Sequence, residues 1–206
     1  MIKINHLSLC VLLFVLPSGI AHAGWQMESK LGVFQPNYQN WATYYGKDWT
    51  GAASLSIAYK PIRLIAIGVD MVYLRASGDG GYQSSGALGG EVTHEMAPGS
   101  AYLELSGYIF RNQWVVPFVG GAYGRMTYRQ QVTYQPDIIG NLYGSTVFAG
   151  ARILLDGLDL NAAKLLREDY GIAHSYLTLE LRRLSAEKSG QDLGGNFLFG
   201  GLNLLF

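Results

Sequence analysis

The sequence predicts an all-β chain: an eight-stranded antiparallel up-and-down transmembrane β-barrel with one short helix between strands six and seven. Three observations predict it. Only 15% of the residues are charged, against about 25% in ordinary soluble domains, while 27 glycines and 13% aromatics favour strands and tight turns. Eight segments beyond residue 23 alternate apolar and polar side chains with a period of two. In that same stretch no apolar run approaches the ~20 residues a membrane helix needs, so a bilayer-spanning chain must close its strands, because lipid leaves no backbone group unpaired.

Residues 1–23 read as a cleaved secretory signal: Lys3 in a short basic start, an apolar run from Leu7 to Leu16, a Pro17-Ser18-Gly19 break and Ala21-His22-Ala23 as the cleavage site. Residues 24–206 then form one barrel domain. The single cysteine, Cys10, lies inside the signal behind Leu9, where a lipoprotein site would want a small residue, so the mature chain is expected to carry no thiol, disulfide or lipid anchor. Lys plus Arg and Asp plus Glu balance at 15 each, which removes the basic excess that nucleic-acid binding needs.

In order, the first strand runs from Trp25 to about Phe34, with Trp25, Met27, Leu31 and Val33 opposing Gln26, Glu28 and Lys30. A long loop rich in Asn, Gln and aromatics covers 35–50. The second strand, Gly51 to Lys60, sends Leu55, Ile57 and Tyr59 outward and Ser54, Ser56 and Lys60 inward, and turns at Lys60-Pro61-Ile62-Arg63. The third carries Ile65, Ile67, Val69, Met71 and Tyr73 outward and Asp70 inward. A Gly-rich loop from Ser77 to about Ser100 follows, in which His94 and Glu95 read as ordinary loop residues.

The fourth strand, Ala101 to Phe110, places Leu103 and Leu105 outside and Tyr102, Glu104 and Ser106 inside. The fifth, Trp114 to about Arg129, is read with Val116, Phe118, Met126 and Tyr128 outward and Arg125 and Arg129 inward. A third long loop spans Gln130 to about Leu142. The sixth strand opposes Tyr143, Val147 and Ile153 to Thr146, Phe148 and Arg152. Helical spacing then appears from Leu158 to Tyr170, where Leu158, Ala162, Leu165 and Leu166 recur at i, i+4, i+7 and i+8, with Asp159 or Asn161 as start cap and Gly171 as stop. The seventh strand, Ile172 to about Arg183, sends Leu177, Leu179 and Leu181 outward and Glu180 and Arg182 inward. A polar loop at 185–195 joins it to the closing strand, Asn196 to Phe206.

That closing strand, taken alone, also suits a buried strand of a soluble sandwich. Its terminal Phe206, with Leu204 two before it and Gly201 five before it, resembles the last strand of bacterial outer-membrane barrels; Phe199 stands where that pattern wants a polar residue. The Val116-Pro117-Phe118-Val119-Gly120-Gly121 run is similar to a stretch common in small barrels of that class. Over the whole mature chain the resemblance is to the eight-stranded proteins of the OmpX, OmpA-transmembrane and OmpW sort. It implies an outer-membrane location, short periplasmic turns with both chain ends on that side, outer-membrane lipids and lipopolysaccharide as surroundings, and barrel-assembly machinery as the partner of Gly201, Leu204 and Phe206. Two aromatic girdles are expected, Trp25, Tyr59, Trp114 and Phe206 at one end and Tyr73, Tyr128 and Tyr143 at the other.

Inside the barrel, the expected polar network is Glu28, Lys30, Asp70, Glu104, Arg125, Arg129, Arg152, Glu180 and Arg182. Eight strands leave room only for side chains, so these charges must pair, either as a fixed core or as a gate that a small solute opens. Catalytic chemistry is weakly signalled. A lipid A deacylase of this architecture uses a His and a Ser on one outer face, whereas His174 and Ser175 are adjacent and point oppositely in a strand. No His spacing suits a metal, no cofactor motif is present, and the expected protein is not an enzyme. Residues 158–170 would cover the lower barrel mouth, rest at the membrane interface, or dock a periplasmic partner.

Overall fold

The computed structural model describes residues 24–38, 40–80, 90–110, 113–133, 135–188 and 191–206; the secretory signal expected at 1–23 lies outside them. The elements are β1 (Gly24–Pro36), α1 (Trp41–Tyr45), β2 (Thr50–Ile62), β3 (Ile65–Gly78), β4 (Val92–Ser106), β5 (Val115–Val132), β6 (Ile138–Leu154), α2 (Leu160–Tyr170), β7 (His174–Ser185), a small hairpin of β8 (Glu187–Lys188) and β9 (Gln191–Asp192), and β10 (Gly195–Leu205). Each long strand pairs antiparallel with its neighbour in sequence, and β10 returns to β1, so the sheet closes as β1-β10-β7-β6-β5-β4-β3-β2. The closure satisfies the edges that a single sheet would leave open to lipid. Phe206 donates its N–H to the Trp25 carbonyl at the seam.

Alternation decides which face each side chain takes. Along β2 every second residue from Thr50 to Lys60 is buried, and those between are exposed. The exposed set across the barrel is apolar, including Leu31, Leu55, Ile67, Val69, Leu103, Val147, Leu179, Leu181 and Leu198. Such a belt is stable only against lipid. The lower girdle contains Trp25 and Tyr59, whose rings lie 5.4 Å apart.

Several boundaries differ from the sequence expectation, among them the end of β4 at Ser106 and not Phe110 and the start of β7 at His174 and not Ile172. β4 begins at Val92, so His94 and Glu95 belong to a strand, paired with Ala76 and Arg75 on β3, and not to a loop. The β5–β6 connection is short because both strands continue upward, pairing as far as Gln130 with Ile138. Within the first loop, Trp41–Tyr45 forms a helical turn closed by Gly46 in the left-handed region (φ 70°). α1 rests on β3 at Gly78, where a Cβ would lie 2.3 Å from the Tyr44 carbonyl oxygen. α2 agrees with its sequence signals: the Asp159 carboxylate accepts from the Asn161 and Ala162 N–H groups, and Gly171 (φ 69°) ends it. None of its residues is buried, so its apolar stripe does not pack as a cover on the barrel.

β5 is turned over relative to the sequence expectation. Val116, Phe118 and Met126 are buried in the lumen, while Val119, Tyr123, Arg125 and Arg129 face outward. Both faces of this strand carry apolar residues and glycine, so alternation alone does not distinguish them. Space does: Gly120 lies under the Phe148 ring, with its absent Cβ position 2.2 Å from Phe148 Cζ. Tyr128 therefore leaves the upper girdle for the interior, and Tyr123 takes its place, stacked on Tyr143 at 6.0 Å.

Candidate functional site

The lumen has two storeys. In the lower one, charged residues on facing strands form a continuous ladder. Ser100 and the Arg182 guanidinium both bond Asp70. Arg182 Nε donates to Glu180 Oε1 at 2.8 Å, and Lys30 Nζ donates to Glu180 Oε2 at 2.7 Å and to Glu28 Oε2 at 3.2 Å. Glu28 Oε1 accepts from the Thr178 hydroxyl at 2.6 Å and lies 3.5 Å from Arg152 Nε. Arg152 then grips Glu104 through two parallel bonds of 2.6 and 2.7 Å. The Ser106 hydroxyl bridges Glu104 to Lys60, donating to the carboxylate at 2.8 Å and accepting from Lys60 Nζ at 3.1 Å.

Asp70, Glu180, Glu28 and Glu104 thus alternate with Arg182, Lys30, Arg152 and Lys60, four charges of each sign, and all eight side chains are buried. Aromatic faces back the cations: the Arg152 guanidinium sits 4.2 Å from the Phe118 ring centroid, and Arg182 lies between Phe148 at 5.5 Å and Phe199 at 5.6 Å. A buried charge is tolerable only when paired and hydrogen-bonded, and this arrangement meets that condition without a net charge.

Seven of the nine residues expected in the network therefore meet in one cluster. Arg125 and Arg129 do not: both lie on the outer face, and Arg129 pairs at the rim with Asp137 at 2.6 Å. Lys60 completes the ladder although it is absent from the expected network; its signal was the inward position that alternation assigns it on β2.

The upper storey is apolar. Phe34, Val72, Leu74, Met96, Met126, Leu142, Leu184, Phe197 and Phe199 pack as one buried cluster above the ladder. Phe199, the residue out of place in the terminal-strand pattern, belongs to this layer and stacks on Phe197 at 5.3 Å. Over it lies a second buried cluster, in which Trp41 and Tyr45 of α1 pack on Ala76, Val92 and Val132.

At the lower rim, His174 Nδ1 lies 2.8 Å from Asp156 Oδ2, while the Ser175 N–H and hydroxyl both donate to Asp156 Oδ1 at 2.9 Å. Burial pushes the Asp156 carboxyl up, and these three hydrogen bonds outweigh it, so its pKa sits below the ordinary carboxylate range. The serine hydroxyl is thus committed to the carboxylate instead of the imidazole, which is not the arrangement that activates a nucleophile. Among the described residues no group of three or more His, Cys, Asp or Glu side chains is placed to hold a metal ion.

A closed eight-stranded barrel with an apolar belt and a charged interior admits comparison with solved structures. The chain has the fold of the small outer-membrane β-barrels. It superposes on OprG from Pseudomonas aeruginosa with a TM-score of 0.62 and 12% identity, covering 91% of this chain and 97% of that one. Neisserial surface protein A matches with a TM-score of 0.57 and 13% identity, over 90% of this chain and 99% of that one. Ail from Yersinia pestis, solved in complex with the heparin analogue sucrose octasulfate, matches with a TM-score of 0.50 and 8% identity, over 89% and 97%. No family model matches the chain, and no curated protein is similar to it in sequence. The likeness is therefore one of architecture, and the exposed leucines and valines form the kind of apolar belt that barrels of this fold turn to lipid.

Proposed function

We propose that the protein is a closed, non-enzymatic barrel of the Gram-negative outer membrane, serving envelope integrity or surface interaction and not bulk transport. The observation that carries this reading is the neutral ladder from Asp70 to Lys60, which fills the lower lumen with mutually paired side chains under an apolar layer. Opening a water path would require separating several of these pairs at once, each with a large desolvation cost.

In this reading the outer face meets lipid and lipopolysaccharide. Arg125, level with Tyr143 in the sheet register, would present its charge to anionic headgroups at the upper aromatic ring. The closing strand supplies the assembly signal through Gly201, Leu204 and Phe206. Gly201 also has a packing reason to be glycine, since a Cβ there would meet the Ser29 carbonyl oxygen at 2.1 Å. Ail's sulfated ligand finds less counterpart here: Arg75 and Arg129 at the upper rim pair with Glu95 and Asp137.

The test is single-channel recording in planar bilayers. The proposed closed barrel gives no discrete steps. Reproducible steps from the wild type would overturn it in favour of a narrow channel for small or hydrophobic solutes.

A further inference from the structure

Under α1 the upper end of the barrel holds a cavity of about 250 Å³, walled by Phe34, Tyr38, Trp41, Tyr45, Met96 and His94 among others. No Lys, Arg, Asp or Glu is among the described residues that line it. His94 is 5% exposed and Trp41 6% exposed, yet neither His94 ring nitrogen nor Trp41 Nε1 has a hydrogen-bond partner among the described residues. The His94 ring is held by aromatics, edge-on to Trp41 at 5.5 Å and parallel to Tyr128 at 6.2 Å. Native interiors rarely leave such groups unsatisfied, and each one so left destabilises the fold unless something else bonds it.

We propose that this cavity is a binding site, entered from outside the cell, for a small neutral molecule with one apolar ring or short chain and one hydroxyl group. The aromatic walls take the apolar body. His94 and Trp41 bond the hydroxyl, with the indole N–H donating to its oxygen and one imidazole nitrogen accepting its proton. The absence of a lining cation disfavours a carboxylate, and the volume lies below the about 300–1,000 Å³ of pockets that hold drug-sized ligands, which limits the occupant to a single ring or its equivalent. The apolar layer containing Phe34 and Met96 separates the site from the charged ladder. Occupancy is therefore independent of whether the lumen conducts.

Fluorine NMR of the purified protein in detergent micelles tests this with 4-fluorophenol as the probe, and with fluorobenzene and 4-fluorobenzoate as controls, each referenced to empty micelles. The expected result is saturable 4-fluorophenol binding at least about tenfold tighter than either control, since a site built around a hydroxyl discriminates against its absence. His94→Phe should weaken 4-fluorophenol at least about tenfold while leaving fluorobenzene unchanged, and His94→Gln should retain most of the affinity. Where His94→Phe does not refold, as read by its heat-dependent gel mobility, Trp41→Phe carries the same test by removing the indole N–H. Equal partitioning of phenol and fluorobenzene, or undiminished 4-fluorophenol binding by whichever variant refolds, would overturn the proposal.

Discussion

Arg152 and Glu104 face each other across the floor of the lumen, joined by two parallel hydrogen bonds with the guanidinium fully buried. Neither charge has access to water, so each is tolerated because of the other. Removing Glu104 alone, as in Glu104→Ala, should destabilise the barrel by about 3–5 kcal/mol, because Arg152 is left buried with the more distant Glu28 as its charged partner. The double variant Glu104→Met/Arg152→Met should be less destabilised than the sum of the single variants by more than about 1 kcal/mol. Urea unfolding in micelles measures all four species, and simple additivity would show that the pair is not coupled.

Outward placement of Arg125 separates two variants that would be equivalent were both side chains in the lumen. Glu104→Ala should lower the urea midpoint of the barrel by breaking the ladder, whereas Arg125→Ala should leave its stability within about 0.5 kcal/mol of the wild type. Equal destabilisation by both would contradict the observed orientation of β5.

Asp156 gives a dependence on pH. Its folded-state pKa is lowered, so its contribution to stability is fully present above the unfolded value of about 3.9 and is lost as pH falls through the folded value. Asp156→Asn should therefore lower the thermal midpoint at pH 7, and the gap from the wild type should narrow steadily below about pH 4. Gel mobility after graded heating reads this; a gap that stays constant down to pH 2 would show that the hydrogen bonds to Ser175 and His174 do not depend on the charge.

Gly78→Val tests how α1 is held over the upper end. The new Cβ would collide with backbone atoms of Tyr44 and Tyr45, which cannot rotate aside. The helical turn should lift, making the bond after the exposed Lys47 cleavable by trypsin within minutes while the barrel keeps its heat-dependent mobility. Unchanged resistance at Lys47 would mean that α1 is anchored by other contacts.

α2 makes the opposite prediction. Since none of its residues is buried, replacing residues 158–170 with a flexible Gly-Ser linker should leave the thermal midpoint within about 2 °C and cause no leakage. Loss of barrel stability would restore a covering role for this helix.

Most of the wall was legible in the sequence because a strand's period of two is a local property: Trp25 to Val33, Ala53 to Tyr59 and Leu177 to Leu181 place their apolar side chains outward as read. The helix stop at Gly171 was legible for the same reason, being short-range hydrogen-bond chemistry, as was its start to within the two candidates Asp159 and Asn161, of which Asp159 is the cap. β5 was not, since its residues are apolar or small on both faces and its orientation follows from which face Phe148 can lie against. His94 was misplaced because a Gly-rich approach resembles a loop, whereas pairing with Ala76 and Gln130 extends the strand through it.

By itself the sequence determined that the chain is built of strands with an apolar face and a polar one, with charges such as Glu104 and Arg152 on the polar side, because successive side chains of a strand point to opposite faces. Only the tertiary structure decided which charges meet, which face β5 presents, and that the upper lumen is apolar with His94 unpaired beneath α1. Those outcomes depend on register between strands far apart in sequence. A single strand's pattern says which side a residue takes, not what stands across from it.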